Sequence, residues 1–178
     1  MTMNDIQFIG CPHIGHKGQA VRRGFSSIEE MNEEIIKRFN ENAGKKTLSI
    51  ILGDVVVFNK TAFDQLERLN GRKIFVLGNH DTRDCIPELL KYGEVQGAFE
   101  YKNTICTHIP IHRDCLERYA INIHSHMHEE LVRRMEYKPL EVLAKRLVDH
   151  RYLNVNWDIL QGKPISLQEV IKYIEEHK

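Results

Sequence analysis

The chain has 178 residues, and its 25 Lys and Arg are balanced by 25 Asp and Glu. That length suits one domain over residues 1–178, and the balance leaves no cation surplus for a broad, sequence-independent nucleic-acid surface. No apolar run approaches the roughly 20 residues of a membrane span, and the N-terminus lacks a basic region followed by an apolar stretch, so neither a membrane segment nor a secretory leader is expected.

In chain order, short apolar runs alternate with helical spacing. Residues 6–9 read as a strand. Ser27, with Glu30 three residues on, has capping-box spacing. Ile28, Met31, Ile35, Ile36 and Phe39 recur at helical intervals, which predicts a helix over residues 28–42. Residues 48–52 form a buried-type strand. Ala62, Leu66 and Leu69 suggest a helix ending near Asn70-Gly71. A strand follows at 74–77 and a short helix at 86–91. Residues 94–98, 100–101 and 104–107 look like short antiparallel strands, with one more strand at 120–123. Residues 140–147 are predicted helical, 152–157 a late strand, and Ser166 with Glu169 caps a final helix. Strands alternating with helices, then consecutive strands, predict an α/β fold of mixed sheets packed as a sandwich.

The four cysteines, Cys11, Cys85, Cys106 and Cys115, have no CxxC spacing. That argues against a disulfide framework and for a reducing, cytoplasmic setting. Histidine is the unusual residue, with ten copies, several of them clustered. Five predicted strands run straight into residues able to bind metal. The first meets Cys11-Pro12-His13, the next Asp54, the third Asn79-His80-Asp81. Strand 104–107 meets His108, and 120–123 meets His124-Ser125-His126-Met127-His128. Sites in α/β sheets form at the carboxyl ends of strands, so these side chains are expected at one edge. Gly10, Gly53 and Gly78 precede three of the sets, where a missing Cβ permits sharp turns and close approach.

In this order the residues resemble the calcineurin-like metallophosphoesterase superfamily. Its pattern is Asp-x-His, Gly-Asp, Gly-Asn-His-Asp/Glu, a lone His, then Gly-His-x-His. The similarity extends to Arg23-Gly24-Phe25-Ser26-Ser27-Ile28-Glu29-Glu30-Met31 and to Pro164-Ile165-Ser166-Leu167, features of its small bacterial and phage phosphoesterases. The resemblance implies two mixed β-sheets packed as a sandwich flanked by α-helices. It also implies a dinuclear centre. Cys11, His13, Asp54 and His128 would hold one ion. Asp54 would bridge to a second, completed by Asn79, His108 and His126. His80 would be the catalytic group that contacts the phosphate. The implied cofactors are two divalent ions (Mn, Zn, Fe or Ni), and the implied substrate is a small phosphate mono- or diester.

That chemistry has an independent rationale. Two divalent ions about 3.5–4 Å apart neutralise an anionic phosphoryl group and lower the pKa of a water for in-line attack. His80 is suited to donate to the departing oxygen, and Asp81 to orient an imidazole. His16 and Arg23 follow the first motif and are expected to meet the phosphate. His124 is expected beside the site.

Two positions depart from the pattern. Ser125 replaces a Gly, and Cys11 replaces the first Asp. Three readings of Cys11 stay open: a thiolate ligand favouring Zn or Fe, a non-ligand beside a weak or empty first site, or the mark of a chain kept for binding alone. A covalent cysteine phosphatase is not expected, because the position six residues on is Lys17, not Arg. The alternatives in function are a nuclease, possible but not favoured by the zero net charge, and a binding scaffold. Oligomeric state is left open.

Overall fold

Alternate residues of the first strands point to opposite sides, and both sides are buried. The computed structural model describes residues 6–57, 60–136 and 145–177. Strands β1 (Ile6–Gly10), β2 (Leu48–Leu52) and β3 (Arg72–Val76) lie parallel in register, with Phe8 opposite Ile50 and Ile50 opposite Ile74. Ile9, Ile51 and Phe75 face one way, into a cluster with Met31, Ile35, Ile36 and Phe39. Those four line the buried face of helix α2, since a short helix α1 (Lys17–Arg22) precedes it and α2 spans Ile28–Glu41. Ser27 caps α2 by accepting from Glu30 N, while the Glu30 carboxylate accepts from Ser26 rather than completing the box.

Phe8, Ile50, Leu52, Ile74 and Val76 face the other way, against Cys106, Ile121 and Ile123 of a second sheet. This interlayer core is why the sheets form a sandwich. The chain passes through α3 (Lys60–Phe63), a 3-10 turn at Asp64–Arg68, and α4 (Ile86–Leu89) before β4 (Glu94–Gln96). Then come β5 (Phe99–Tyr101), β6 (Thr104–Cys106), β7 (Ile121–His124), β8 (Arg133–Glu136), β9 (Lys145–Val148), β10 (Tyr152–Asn154), β11 (Ile165–Ser166) and helix α5 (Leu167–Glu176). The first sheet has order β11-β1-β2-β3-β4 and the second β10-β7-β6-β5. β11 is antiparallel to β1 and β5 to β6; the remaining neighbours run parallel. Both sheets are therefore mixed, as expected. No described helix is long and apolar enough to cross a membrane.

Three expectations change. The 62–69 segment divides between α3 and the 3-10 turn. β4 pairs with β3 parallel rather than forming an antiparallel run with β5 and β6, because the chain returns through α4 as a crossover. The helix expected over 140–147 is replaced, where described, by β9, which pairs antiparallel with β8 and sets Leu147 opposite Arg134. A cross-strand partner overrides the helical spacing there, and residues 137–144 lie outside the described residues.

Phe8 is fully buried between the sheets. Phe8→Ala is expected to cost about 3–5 kcal/mol, read as a lowered urea midpoint in equilibrium denaturation.

Candidate metal centre

Parallel strands of both sheets end at one edge, and their loops are stitched together there. Cys11 N donates to Gly53 O at 3.1 Å and His13 N to Asp54 O at 3.0 Å. Thr107 N bonds Ile123 O and Ser125 N bonds His108 O, both at 3.0 Å. A third set joins the sheets: Gly10 N donates to Val155 O at 2.8 Å and Val155 N to His124 O at 2.7 Å.

The loop backbone is strained where the candidate ligands sit. Seven non-glycine residues among those described have positive φ, and five are Cys11, His13, Asp54, His126 and His128, at 49° to 58°. Each such conformation costs of order 1–3 kcal/mol and persists only where surrounding structure enforces it. The glycines before them allow the crowding. A Cβ on Gly53 would fall 2.2 Å from His108 Nδ1, and one on Gly78 2.4 Å from Asp54 Oδ1.

Asp54 is central and buried. Its Oδ2 lies 3.4 Å from His108 Nε2 and 3.7 Å from His13 Nε2. Its Oδ1 accepts from His80 N at 2.9 Å. His108 Nε2 is 2.9 Å from Asn79 Oδ1 and 3.1 Å from His126 Nδ1, while its Nδ1 faces Leu52 O at 3.0 Å. Donor atoms of Cys11, Asp54 and His108 all lie within 4.8 Å of one another. The His13 and His128 rings stack with centroids 5.7 Å apart. His80 is exposed, its ring 5.9 Å from that of His13. So the structure gathers all seven expected ligands and His80 at one place.

The residues expected around them have more specific places. Asp81 does not orient an imidazole. Its Oδ2 accepts from Asp54 N and Gly78 N, both at 2.8 Å, and its Oδ1 from Val55 N at 3.0 Å. It thus fixes the main chain that carries Asp54. His124 is fully buried, with Nδ1 at 2.9 Å from Ser125 O. His16 caps α1, its Nδ1 accepting from Gln19 N at 3.3 Å, and its ring stands 5.5 Å from that of His13. Arg23, expected at the phosphate, turns inward, its side chain 6% exposed. Its guanidinium donates to Pro12 O and Cys11 O, each at 2.8 Å. One residue was missed: Asp158, whose carboxylate lies 2.6 Å from His128 Nδ1. It sits just past the late strand, so the rule that found the other motifs applied to it too.

Charge is unevenly distributed among the imidazoles. Burial drives His13 down to about 3, with Asp54 pulling the other way. Burial also opposes charge on His108, but hydrogen bonds to Asp54 and Cys11 prevail and raise it to about 10. Asp54 resists its own burial through His108 and the His80 amide and is held at about 2. His13 Nε2 is buried with no hydrogen-bond partner among the described residues, and it points towards the Asp54 carboxylate. An unpaired neutral imidazole nitrogen facing the Asp54 carboxylate, with the Cys11, Asp54 and His108 donor atoms gathered within 4.8 Å of one another, fits a divalent transition metal.

Comparison with known proteins identifies a family. Residues 5–171 match the family described as calcineurin-like phosphoesterase. The chain belongs to that family. An uncharacterized protein of Methanocaldococcus jannaschii is 31% identical over 185 residues, covering 100% of this chain and 96% of that one. The crystal structure of a protein of unknown function from Aquifex aeolicus superposes with a TM-score of 0.67 at 21% identity, covering 94% of this chain and 97% of that one. A Pseudomonas putida nuclease superposes with a TM-score of 0.50 at 18% identity, covering 70% and 62%. The fold is the metallo-dependent phosphatase fold, and family membership carries metal-dependent phosphoester hydrolysis as the general activity.

Burial lowers His124 from 6.5 to about 4. As pH falls, the unfolded chain therefore binds this proton first, and stability present above about pH 6.5 is lost progressively down to about pH 4. The loss is of order 3 kcal/mol. His13 adds a loss of the same sign. Denaturation midpoints measured across that window should fall steadily, and His124→Asn should flatten the trend.

Proposed function

We propose that this chain hydrolyses phosphate mono- or diesters at a centre of two divalent ions. Cys11, His13, Asp54 and His128 would hold one ion, and Asn79, His108 and His126, with Asp54, would hold the other. The convergence of Cys11, Asp54 and His108 donor atoms within 4.8 Å supports metal binding here, and the division between two ions follows the family's ligand pattern. When bound, the two ions neutralise the phosphoryl group and supply a water of lowered pKa for in-line attack.

The remaining work belongs to the chain. Asp54 stands between His13 and His108 and serves both positions. Asp81 keeps its main chain in place. His80 anchors through its backbone on Asp54, which leaves the exposed imidazole free to face the phosphate and donate to the leaving oxygen. His16 spends Nδ1 on the α1 cap and keeps Nε2 for a substrate oxygen. His124 packs behind the ligand loop. Cys11 would supply a soft sulfur donor, which favours Zn or Fe over harder ions, with Mn and Ni the other candidates. The reading takes residues 1–178 as one domain. A reducing cytoplasm suits a thiolate ligand, and all four cysteines are free.

Elemental analysis of the purified protein should find about two metals per chain. Chelation should abolish hydrolysis of bis(p-nitrophenyl) phosphate and p-nitrophenyl phosphate, and added Mn, Zn, Fe or Ni should restore it. His80→Ala should lower kcat by about 10²–10⁴. Failure of every metal to support turnover would overturn the reading. Fold similarity to a nuclease is the reason to include single- and double-stranded oligonucleotides among the substrates. Cys11→Asp should shift the activating metal from Zn or Fe towards harder ions; an unchanged metal preference would remove Cys11 from the ligand set.

A further inference from the structure

His128 is engaged on the side away from the candidate centre. Its Nδ1 lies 2.6 Å from Asp158 Oδ2. The other oxygen of that carboxylate accepts from Arg23 Nε at 2.7 Å. The same guanidinium donates from one terminal nitrogen to Pro12 O and from the other to Cys11 O. Trp157 covers it, with the guanidinium carbon 5.4 Å from the ring centroid. The Arg23 and Asp158 side chains are only 6% and 7% exposed. An unbroken series of hydrogen bonds therefore runs from the His128 ring to the backbone that carries Cys11 and His13.

We propose that Arg23 and Asp158 are a positioning pair that sets the geometry of one metal site only, the one built from Cys11, His13 and His128. The inference rests on the proposed role of those three residues as ligands.

Three observations carry it. First, Asp158 fixes the imidazole of His128. A carboxylate on Nδ1 selects the tautomer with Nδ1–H and leaves the Nε2 lone pair for a metal. Second, both ends of the series finish on strained loops. Cys11, His13 and His128 have φ of 52°, 54° and 49°, and such conformations need external support. Third, the acceptor arrangement suits arginine. Two carbonyls and a carboxylate oxygen are met at once by a rigid planar fork, which the single ammonium of lysine cannot reproduce. The hydrogen bonds that join His108 to Leu52 O, Ser125, Asn79 and His126 involve neither Arg23 nor Asp158.

The test uses the metal-free full-length protein titrated with Co²⁺. Binding is followed by calorimetry and by the visible and near-ultraviolet absorption of bound cobalt. The wild-type chain should bind two ions. Asp158→Asn and Arg23→Lys should each weaken one ion by about 10–100-fold, alter its absorption, and leave the other ion near wild-type affinity. Asp158→Glu should recover part of the loss. A purely structural role would weaken both ions together, and that result overturns the proposal. So does unchanged affinity and spectrum at both ions in the two variants. Should Asp158→Asn fail to fold, Arg23→Lys decides alone, because it keeps the buried cation opposite Asp158. A wild-type chain that binds no cobalt brings down the metal reading and this one together. A wild type that binds two ions, with variants unchanged, brings down only this one.

Discussion

A single buried carboxylate organises this molecule. Asp54 lies between two imidazoles, 3.7 Å from His13 and 3.4 Å from His108. A buried anion is costly unless paired and hydrogen-bonded. Here the compensation comes from His108, the His80 amide and their neighbours. The backbone at Asp54 is itself strained, with φ at 50°, and Asp81 answers by holding the amides of Asp54 and Val55. Three separate strand ends thus depend on one side chain, and so does the proposed sharing of that side chain between two ions.

The layers serve the same end. Period-two burial gives β1, β2 and β3 an apolar residue on each side, so one side packs on α2 and the other on the second sheet. Such strands cannot slip in register without turning the wrong residues inward. Fixed register fixes where each strand stops, and where each strand stops determines where the loop with its candidate ligands begins. The stability of the core is in this way converted into precision at the strand ends. The loops themselves are locally unfavourable and could not hold their shape alone.

Most of the candidate site was legible in the sequence because its signals are local. Cys11 and His13, Asp54, Asn79 and His80, His108, and His126 and His128 each follow a strand directly, and strand runs are short-range patterns. The two-sheet fold was legible for the same reason. What local pattern does not encode is pairing partner. β4 joined the parallel sheet because a helix intervened, and β9 extended because β8 lay opposite it. Arg23 has the chemistry of a phosphate binder, yet two carbonyls and Asp158 claim it. Asp81 has the chemistry of an imidazole partner, yet three amides claim it. Residue type was readable in both cases, and target was not, because the target is set by chain segments brought together only in the fold.

The Arg23–Asp158 contact joins residues 135 apart in sequence. Closing so long a loop is slow relative to local structure formation, and non-local contacts of this kind dominate folding times. During synthesis the first strands and α2 emerge while the later half of the chain is still absent, and the support for His128 is absent with it. The first sheet also needs the later half of the chain, since Phe8 and Ile50 pack on Ile121 and Ile123, and β1 pairs with β11. A chain that stops short of Asp158 lacks both the carboxylate on His128 Nδ1 and the partner of Arg23 Nε, so the loops of Cys11, His13 and His128 gain this support last.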